Sequence, residues 1–308
     1  MHRLEATSET LTVGYFDPTA PAVLEVDSGE VVDIETVTHW GGRVTPESTL
    51  DDLLGLWEEF PGVGPHSLTG PIGVRGAMPG HVLRVDIEEL TLAEHGFNVS
   101  YSGTRGAGLL ADDIAEGGIR HFDLDLETMT TTLGDTVTIG LEPFLGIMGV
   151  APPGRDRVST IPPGVFGGNM DLRALVAGTT LYLPVWQPGA GFSIGDAHAR
   201  QGNGEVCLTA IESAIPSARL RLTVVDDLSL EVPMAETATH WITMGMDADL
   251  LVAARQATLN MVRFLQRRFG LPERDAYGLC SIAGDLEVTQ VVNSVKGAHM
   301  TMAKSLFI

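Results

Sequence analysis

The stretch 189–212 concentrates side chains that hold metal ions or move protons, and it sets them among glycines and other small residues. Asp196 and His198 are two positions apart, so in an extended strand both side chains project from the same face. A carboxylate and an imidazole directed at one point form a mixed ligand set that suits Zn²⁺ or another divalent ion. The spacing therefore favours a metal site. The same pattern also occurs in capped loops and on charged surfaces, and spacing alone leaves both interpretations open.

A second stretch of the same character, residues 166–171, reads FGGNMD. Asn169 and Asp171 are again two positions apart and would project together from an extended chain. The two glycines before them allow another backbone or a ligand to approach closely. We expect Asn169 or Asp171 to add an oxygen ligand to the metal site.

Glu205 is the predicted catalytic carboxylate, because the glycines beside it permit a tight turn that would present it to a metal-bound water. A bound metal lowers the pKa of that water to roughly 7. A carboxylate within hydrogen-bond reach then carries the proton to a leaving amine. Glu142 and Glu212 are reserve candidates. Glu142 lies in the apolar run 141–154, where a buried carboxylate is costly unless it is paired or bound to a metal.

Two histidines occur near glycines in the first quarter of the chain. His66 lies in the glycine-rich segment 62–80, where a site role and a packing role are equally compatible with the sequence. His39 stands directly before Trp40, and a histidine beside a tryptophan is more typical of packing in the wall of a site.

Other nucleophile systems are disfavoured by elimination. The sequence has no G-x-S-x-G motif, so a serine of the α/β-hydrolase type is not indicated. The lysines are Lys296 and Lys304, both near the end of the chain, which disfavours amide hydrolases that need a catalytic lysine. Neither Cys207 nor Cys280 has a recognisable nucleophile setting. Cys207 lies two residues from Glu205, so a thiol nucleophile stays open as a minor alternative.

The composition excludes several classes of protein. The net charge of −21 repels phosphate backbones and anionic lipids, so nucleic-acid and membrane-surface roles are not expected, and a small neutral substrate is easier to admit than an anionic one. No run of about 18 apolar residues occurs that could span a membrane. Two cysteines and no apolar segment at the N-terminus predict a protein of the reducing cytoplasm.

The elements that must position these residues are mostly short strands. Alternating patterns predict strands at 81–90, 218–227 and 285–293, and the apolar run before Pro184 predicts a buried strand. Helical spacing predicts helices at 47–60, at 247–268 with Asp247 as the cap, and at 272–283, whereas 103–118 reads as a glycine-rich loop with one helical turn. We therefore predict a β-dominated α+β fold, with a β-sandwich or jelly-roll-like core and helical additions mostly in the C-terminal third. No linker is visible, so one domain over 1–308 is expected, with a possible subdivision into a β-rich body (1–235) and a helix-rich part (236–308).

Several stretches, taken in order, resemble the acetamidase/formamidase family. They cover residues 64–87, 143–154, 166–175, 178–212, 236–250 and 284–300, and they include FGGNMDLRAL and GDAHARQGNGE. The resemblance implies a metal-dependent amidohydrolase that releases ammonia from a short aliphatic amide. It also implies a β-sandwich related to CUB-like folds and a homo-oligomer.

The resemblance and the residue patterns together give a specific expectation. Asp196 and His198, with Asn169 or Asp171, would hold a divalent metal, most simply Zn²⁺. Glu205 would be the general base, with Glu142 and Glu212 in reserve, and His66 and His240 would line the pocket or orient the amide. Two alternatives are a γ-lactamase-type hydrolase of cyclic amides and a non-catalytic, jelly-roll-like protein that binds small ligands.

Two departures from the family pattern stand out. His81 follows Pro79 and Gly80 where the family usually has PGD, and Asn203 stands in GNGE where the family usually has GDGE. Asparagine keeps an oxygen but loses a negative charge. The change would therefore weaken metal binding or retune specificity.

Overall fold

The computed structural model describes residues 1–101, 103 and 107–307. In these residues the strands are β1 (His2–Leu4), β2 (Leu11–Val13), β3 (Tyr15–Phe16), β4 (Leu24–Val26), β5 (Glu30–Ile34), β6 (Ser67–Val74), β7 (Val82–Thr91), β8 (His95–Ser100), β9 (Gly118–Asp123), β10 (Thr130–Leu133), β11 (Val137–Gly140), β12 (Phe144–Gly149), β13 (Val158–Ser159), β14 (Gly167–Asn169), β15 (Thr180–Pro184), β16 (Phe192–Arg200), β17 (Ile211–Ser213), β18 (Ser217–Val225), β19 (Met234–Glu236), β20 (His240–Asp247), β21 (Gly284–Gln290) and β22 (Lys296–Ala303). The helices are α1 (His39–Gly42), α2 (Leu50–Glu59), α3 (Leu250–Phe269) and α4 (Glu273–Ala283), and a 3₁₀ turn spans Lys304–Leu306.

Most strands of the described chain belong to two sheets of nine strands each. The first sheet has the order β1-β5-β18-β7-β15-β19-β20-β22-β21. The second has the order β14-β12-β16-β17-β8-β9, and β6 pairs with β16, β2 and β4 beside this path. The fold is therefore β-dominated with few helices, as predicted.

The main apolar core contains side chains from both sheets. Val85 and Leu220 come from the first sheet, and Ile147 and Ile194 come from the second. All four are fully buried. The predicted strand over 81–90 is confirmed as β7, in which Val85 and its alternate neighbours are buried while the charged residues between them remain partly or fully accessible.

The two long helices, α3 and α4, form a second apolar cluster with β22. Gly245 of β20 permits the close approach of α3, because an added Cβ would lie 2.0 Å from the carbonyl oxygen of Ala253. The predicted helices over 247–268 and 272–283 are confirmed with shifted starts. The cap of α3 is Asp249 rather than Asp247, because its side chain accepts hydrogen bonds from two backbone amides of the first turn.

The helix α2 confirms the prediction over 47–60. Thr49 and Asp52 form a reciprocal capping box at its start. Its buried leucines, Leu53 and Leu56, belong to a third apolar cluster that also contains Trp40 and Tyr101. In the stretch 103–118, which is predicted as a loop, residues 109–113 form turns, and residues 104–106 lie outside the described residues.

Candidate metal centre

Seven acidic and histidine side chains meet in a buried cluster. The described residues contain three triads that share members. Within each triad, the potential ligand atoms lie within 4.8 Å of one another. These triads are His39–His66–Asp196, Asp171–His198–Glu205 and Asp196–His198–Glu212. We call the seven residues the His–carboxylate cluster. Every member is buried, so the cluster brings together segments that are distant in sequence.

The strand β16 supplies the centre of the cluster. It pairs with β12, β6 and β17, and Glu212 of β17 is the direct cross-strand partner of His198. His198 Nε2 lies 3.4 Å from Asp196 Oδ2, so the pair predicted from its spacing does converge. The strand is not regular at this point, because Asp196 has φ of 53°.

Three carboxylates of the cluster share this unusual backbone. Asp171 has φ of 50°, Asp196 of 53° and Glu205 of 46°. Left-handed backbone at a residue with a side chain costs on the order of 1–3 kcal/mol, and such residues are enriched at functional sites. The sequence predicts that Asn169 and Asp171 project together from an extended chain. The chain is not extended at Asp171, because its backbone is left-handed there.

Gly146 of β12 makes room for two of these carboxylates. A Cβ at this position would lie 2.7 Å from Asp196 Oδ2 and 2.8 Å from Asp171 Oδ1. Both distances are shorter than real Cβ contacts. Only glycine therefore allows the two side chains to meet over this strand.

Burial and the neighbouring carboxylates act in opposite directions on the histidines. Burial is the dominant influence on His66 and lowers its pKa to about 4, so the ring is neutral at pH 7. Burial also disfavours the charged form of His39, but the hydrogen bonds and charges of Asp196 and Glu212 outweigh it and raise the pKa to about 9. The same two carboxylates, against burial, raise the pKa of His198 well above its usual range. The carboxylates thus favour positive charge in the cluster.

The four acids divide into two pairs. Burial raises the pKa of Asp171 to about 8, and the charge of Asp196 adds to the effect. Burial and the charge of Asp171 raise the pKa of Glu205 well above its usual range. Burial acts on Asp196 in the same direction, but the histidines around it, His66 first, hold its pKa well below the usual range. Burial also acts to raise the pKa of Glu212, but the charge of His198 and the further contacts with His198 and His39 together outweigh it and lower the pKa.

Several potential ligand atoms of the cluster are buried without a hydrogen-bond partner. Both ring nitrogens of His198, Oδ1 of Asp171 and Oε2 of Glu212 are in this state. His198 Nε2 lies 3.1 Å from Glu212 Oε2, yet the contact lacks hydrogen-bond geometry. Buried polar atoms are normally satisfied, and a cation bound among these atoms would satisfy them. The nitrogen and oxygen donors therefore fit a divalent metal ion.

Further contacts orient individual members of the cluster. His66 Nδ1 is 2.9 Å from the hydroxyl of Thr160. Asn293 donates from Nδ2 to Asp171 Oδ2 at 3.1 Å, and Glu212 accepts from a backbone amide at 2.9 Å. Such outer contacts fix the direction of a ligand and are typical of metal sites.

The loop that carries Glu205 is tied to the end of β21. The amide of Gly204 donates to the carbonyl of Thr289 at 3.0 Å. Asn203 donates from Nδ2 to Glu287 Oε2 at 2.6 Å. The asparagine that departs from the family pattern therefore pairs with a carboxylate of the neighbouring strand.

A cavity of about 180 Å³ adjoins the cluster. Its polar side includes His39, His66, Asn169, Asp196, Glu205 and Glu212. Its remaining wall is mostly apolar and includes Trp57 and Tyr101. The cluster is therefore accessible to a small molecule.

The structure brings most of the sequence-predicted residues together. Asp171, Asp196, His198, Glu205, Glu212 and His66 belong to the cluster, and Asn169 lines the cavity.

Two predicted residues lie elsewhere. The side chain of Glu142 is 60% exposed and forms an ion pair with Arg200. His240, at the start of β20, contacts the hydroxyl of Thr239 and lines none of the cavity. Their positions correct the prediction, so neither remains in the candidate site.

Sequence reasoning missed His39. The residue was expected to be wall packing, but its Nε2 lies 3.1 Å from Asp196 Oδ1 and 3.5 Å from Glu212 Oε2. The signal that was available is the glycine pair after Trp40. Trp40 and Gly41 both have positive φ, which turns the chain and places His39 against the cluster.

Comparisons with known proteins show what the chain is similar to. The sequence model described as the Acetamidase/Formamidase family matches residues 3–155 and 154–304. A formamidase from Methylophilus methylotrophus is 25% identical over 336 residues, which cover 86% of this chain and 81% of the relative. The crystal structure of an acetamidase from Bacillus halodurans has a TM-score of 0.89 and 31% identity, covering 99% of this chain and 98% of that chain. A gamma lactamase from Delftia acidovorans has a TM-score of 0.68 and 22% identity, covering 100% of this chain and 93% of that chain, and is similar in fold alone.

Proposed function

The chain belongs to the acetamidase/formamidase family, and on that premise we propose that it hydrolyses a small aliphatic amide to a carboxylate and ammonia. The formamidase and acetamidase relatives support hydrolysis of linear amides. The observation that carries the proposal is the buried His–carboxylate cluster beside a cavity of small-molecule size. A neutral amide is also compatible with the net charge of −21.

The cluster is proposed to hold a divalent cation, Zn²⁺ by the chemistry of its donors. Asp196 and His198 would be ligands, as the sequence indicates, with His39, Asp171 or Glu212 completing the set. Support comes from the buried atoms that lack partners within the protein. Such a cation, when bound, supplies Lewis acidity and lowers the pKa of water.

Glu205 is the proposed general base. It lines the cavity from a loop, and its carboxyl group neighbours Asp171 and His198. Burial and Asp171 raise its pKa, and a cation bound in the cluster would favour the ionised form. The ionised Glu205 would then take a proton from the attacking water and deliver it to the nitrogen as the carbon–nitrogen bond breaks.

Two other residues are proposed to position the substrate. Asn169 lines the cavity, and its Oδ1 has no hydrogen-bond partner within the protein, so it can accept from the amide NH₂ group. Its Nδ2 donates to the backbone of Ile161, which fixes the direction of the side chain. The His66 ring, held by Thr160, belongs to the same polar lining of the cavity.

The direct test combines metal content with ammonia release. Purified protein is reconstituted with Zn²⁺, its metal content is measured, and ammonia is followed with formamide, acetamide and propionamide. We expect about one equivalent or more of bound metal and turnover that is lost on chelation and restored by metal. Folded, metal-loaded protein that releases no ammonia from any of these amides would refute the proposed activity.

The cyclic-amide alternative has weaker support. The gamma lactamase from Delftia acidovorans is similar in fold alone. Including a bicyclic γ-lactam in the same assay tests it, and ring opening faster than linear amide hydrolysis would favour it. A ligand-binding protein without activity would instead bind amides and release no ammonia.

Broader features of the protein are also proposals. A single domain over 1–308 is supported by the first sheet, which joins strands from both sides of residue 236. A jelly-roll or CUB-like sandwich is supported by the core that contains side chains from both sheets. A cytoplasmic location is supported by the two free cysteines, Cys207 and Cys280. In the described residues, none of the helices combines the length and the hydropathy of a membrane span.

The protein is proposed to act as a homo-oligomer through α3, α4 and β21. These elements expose Ile282 (83%), Leu251 (71%) and Tyr277 (65%). A groove of about 780 Å³ runs along them and is largely apolar. Light scattering on the eluted protein tests this assignment, and a monomer at micromolar concentration would contradict it.

A further inference from the structure

The cavity beside the His–carboxylate cluster is larger than formamide or acetamide requires. Its volume is about 180 Å³. Acetamide has four non-hydrogen atoms and occupies roughly two to three times the 30 Å³ of a water molecule in the liquid, whereas an apolar cavity of about 150 Å³ is large enough to bind benzene. The cavity is therefore of the size that takes a benzene-sized group, and a short amide is smaller than it.

The apolar lining of the cavity is held in place by contacts between aromatic rings. Trp57 packs edge-on against Trp40 with ring centroids 5.3 Å apart. Its indole nitrogen donates to the hydroxyl of Tyr101 at 3.2 Å, so the two rings fix each other. Val99 and Leu208 extend the same apolar wall. Water in this region would find few hydrogen-bond partners, and an apolar group would find many contacts.

The polar groups set the direction in which an amide enters. Asn169 Oδ1 lacks a partner within the protein, and Glu205 also lines the cavity. An amide group held by these polar residues leaves its acyl substituent to the apolar lining, which includes Trp57 and Tyr101. The polar and apolar parts of the cavity thus match the two ends of one substrate.

We propose that the preferred substrate is a primary amide whose acyl group carries an apolar body about the size of a phenyl ring. The inference rests on the proposed amidase activity and specifies the acyl group. Water adds to the carbonyl carbon, the carbon–nitrogen bond breaks, and the proton passes to the departing nitrogen. The products are a carboxylate with an apolar substituent and ammonium, and no further reactant is needed.

The test is kcat/KM on the Zn²⁺-reconstituted protein for formamide, acetamide, butyramide and phenylacetamide. We expect kcat/KM to rise about fourfold for each buried methylene, and to be on the order of one hundredfold higher for phenylacetamide than for acetamide. A value that falls from formamide towards phenylacetamide overturns the inference while leaving the amidase activity in place. Ammonia release from none of the four amides refutes the activity and this inference together.

A cavity-filling variant locates the acyl group. Ile161 lines the cavity with an apolar side chain, and its carbonyl contact with Asn169 does not depend on that side chain. Ile161→Phe is expected to lower the ratio of phenylacetamide to acetamide kcat/KM by about tenfold or more, because the added ring occupies space that the larger acyl group needs. Ile139→Phe, at a half-buried position outside the cavity, is the matched control and should leave the ratio unchanged.

A second filling variant protects the test against misfolding. Val292 also lines the cavity and is half-buried. Val292→Phe should lower the same ratio, and circular dichroism shows whether each variant is folded. An unchanged ratio in a folded filling variant would place the acyl group elsewhere and overturn the inference.

Discussion

Gly146→Ala tests whether the meeting of two carboxylates over β12 is needed for function. The added Cβ would lie 2.7 Å from Asp196 Oδ2, 2.8 Å from Asp171 Oδ1 and 2.9 Å from the carbonyl oxygen of Asp196. Ordinary contacts begin near 3.4 Å, so each carboxylate oxygen must retreat by roughly 0.6–0.7 Å. Asp171 is buried and lies outside the cavity lining, so the shift of its oxygen must displace neighbouring atoms.

The magnitude follows from this displacement. Overfilling a well-packed interior costs about 1–3 kcal/mol of folding free energy. Misplacing a catalytic group by about 1 Å costs on the order of one hundredfold in rate. We therefore expect Gly146→Ala to unfold at lower denaturant concentration, to bind Zn²⁺ less tightly, and to lose at least about tenfold in kcat.

The assay separates local from global effects. Zinc affinity is measured by competition with a chromogenic chelator, turnover by ammonia release, and stability by urea unfolding. Gly140→Ala at the end of β11 is the matched control, because a Cβ there meets no atom within 4 Å. A folded Gly146→Ala protein with wild-type zinc affinity and turnover would show that the two carboxylates need not meet at this point.

Three further predictions concern the same site and the stability of the fold. Glu205→Gln should retain bound metal and lose about 10²–10⁴-fold in kcat, because the glutamine side chain cannot accept the proton. Ammonia release and metal analysis check this prediction. Retained turnover would exclude Glu205 as the base. Asn203→Asp should lower kcat several-fold, because it sets a second carboxylate against Glu287. Adding Glu287→Gln to that variant should restore kcat. If it does not, the contact between residues 203 and 287 does not position the loop that carries Glu205. Burial acts to raise the pKa of Glu236, but the hydrogen bond from Lys304 and further contacts outweigh burial, so the pKa is lowered. Glu236 therefore stabilises the fold at pH values above its unfolded pKa of about 4.3. The contribution is lost as pH falls through the lowered pKa of the folded state. Urea unfolding of the wild type and of Lys304→Met should therefore differ at pH 7 and converge as pH falls below about 4, and a difference that persists there would contradict the assignment.

The strands and helices followed from local patterns, because their signals lie within a few residues. The alternation in β7 and the helical spacing in α3 each reflect burial on one face. The start of α3 was displaced by two residues because Asp247 and Asp249 are both competent caps. Asp247 instead accepts a hydrogen bond from the amide of Asp249, and the helix begins directly after Asp249.

The ligand residues that occur close together in sequence were also predictable. Asp196 and His198 were recognised from their spacing, although the strand reaches convergence through a left-handed residue rather than regular extension. His39 was not recognised, because its partner Asp196 is 157 residues away and only tertiary structure unites them. Glu142 was included because its neighbours are apolar, yet the residue precedes β12 and its side chain reaches Arg200 at the surface.

The left-handed backbone at Asp171, Asp196 and Glu205 has a consequence for how the protein would respond to selection. Glycine relieves left-handed strain at such positions, but it removes the carboxylate that the site uses. A library screened only for heat resistance would therefore be enriched in glycine substitutions at these three positions. Each such variant would lack a carboxylate of the site and would have lost its activity. Selection on this protein must measure turnover and heat stability together, because the two favour different residues at these three positions.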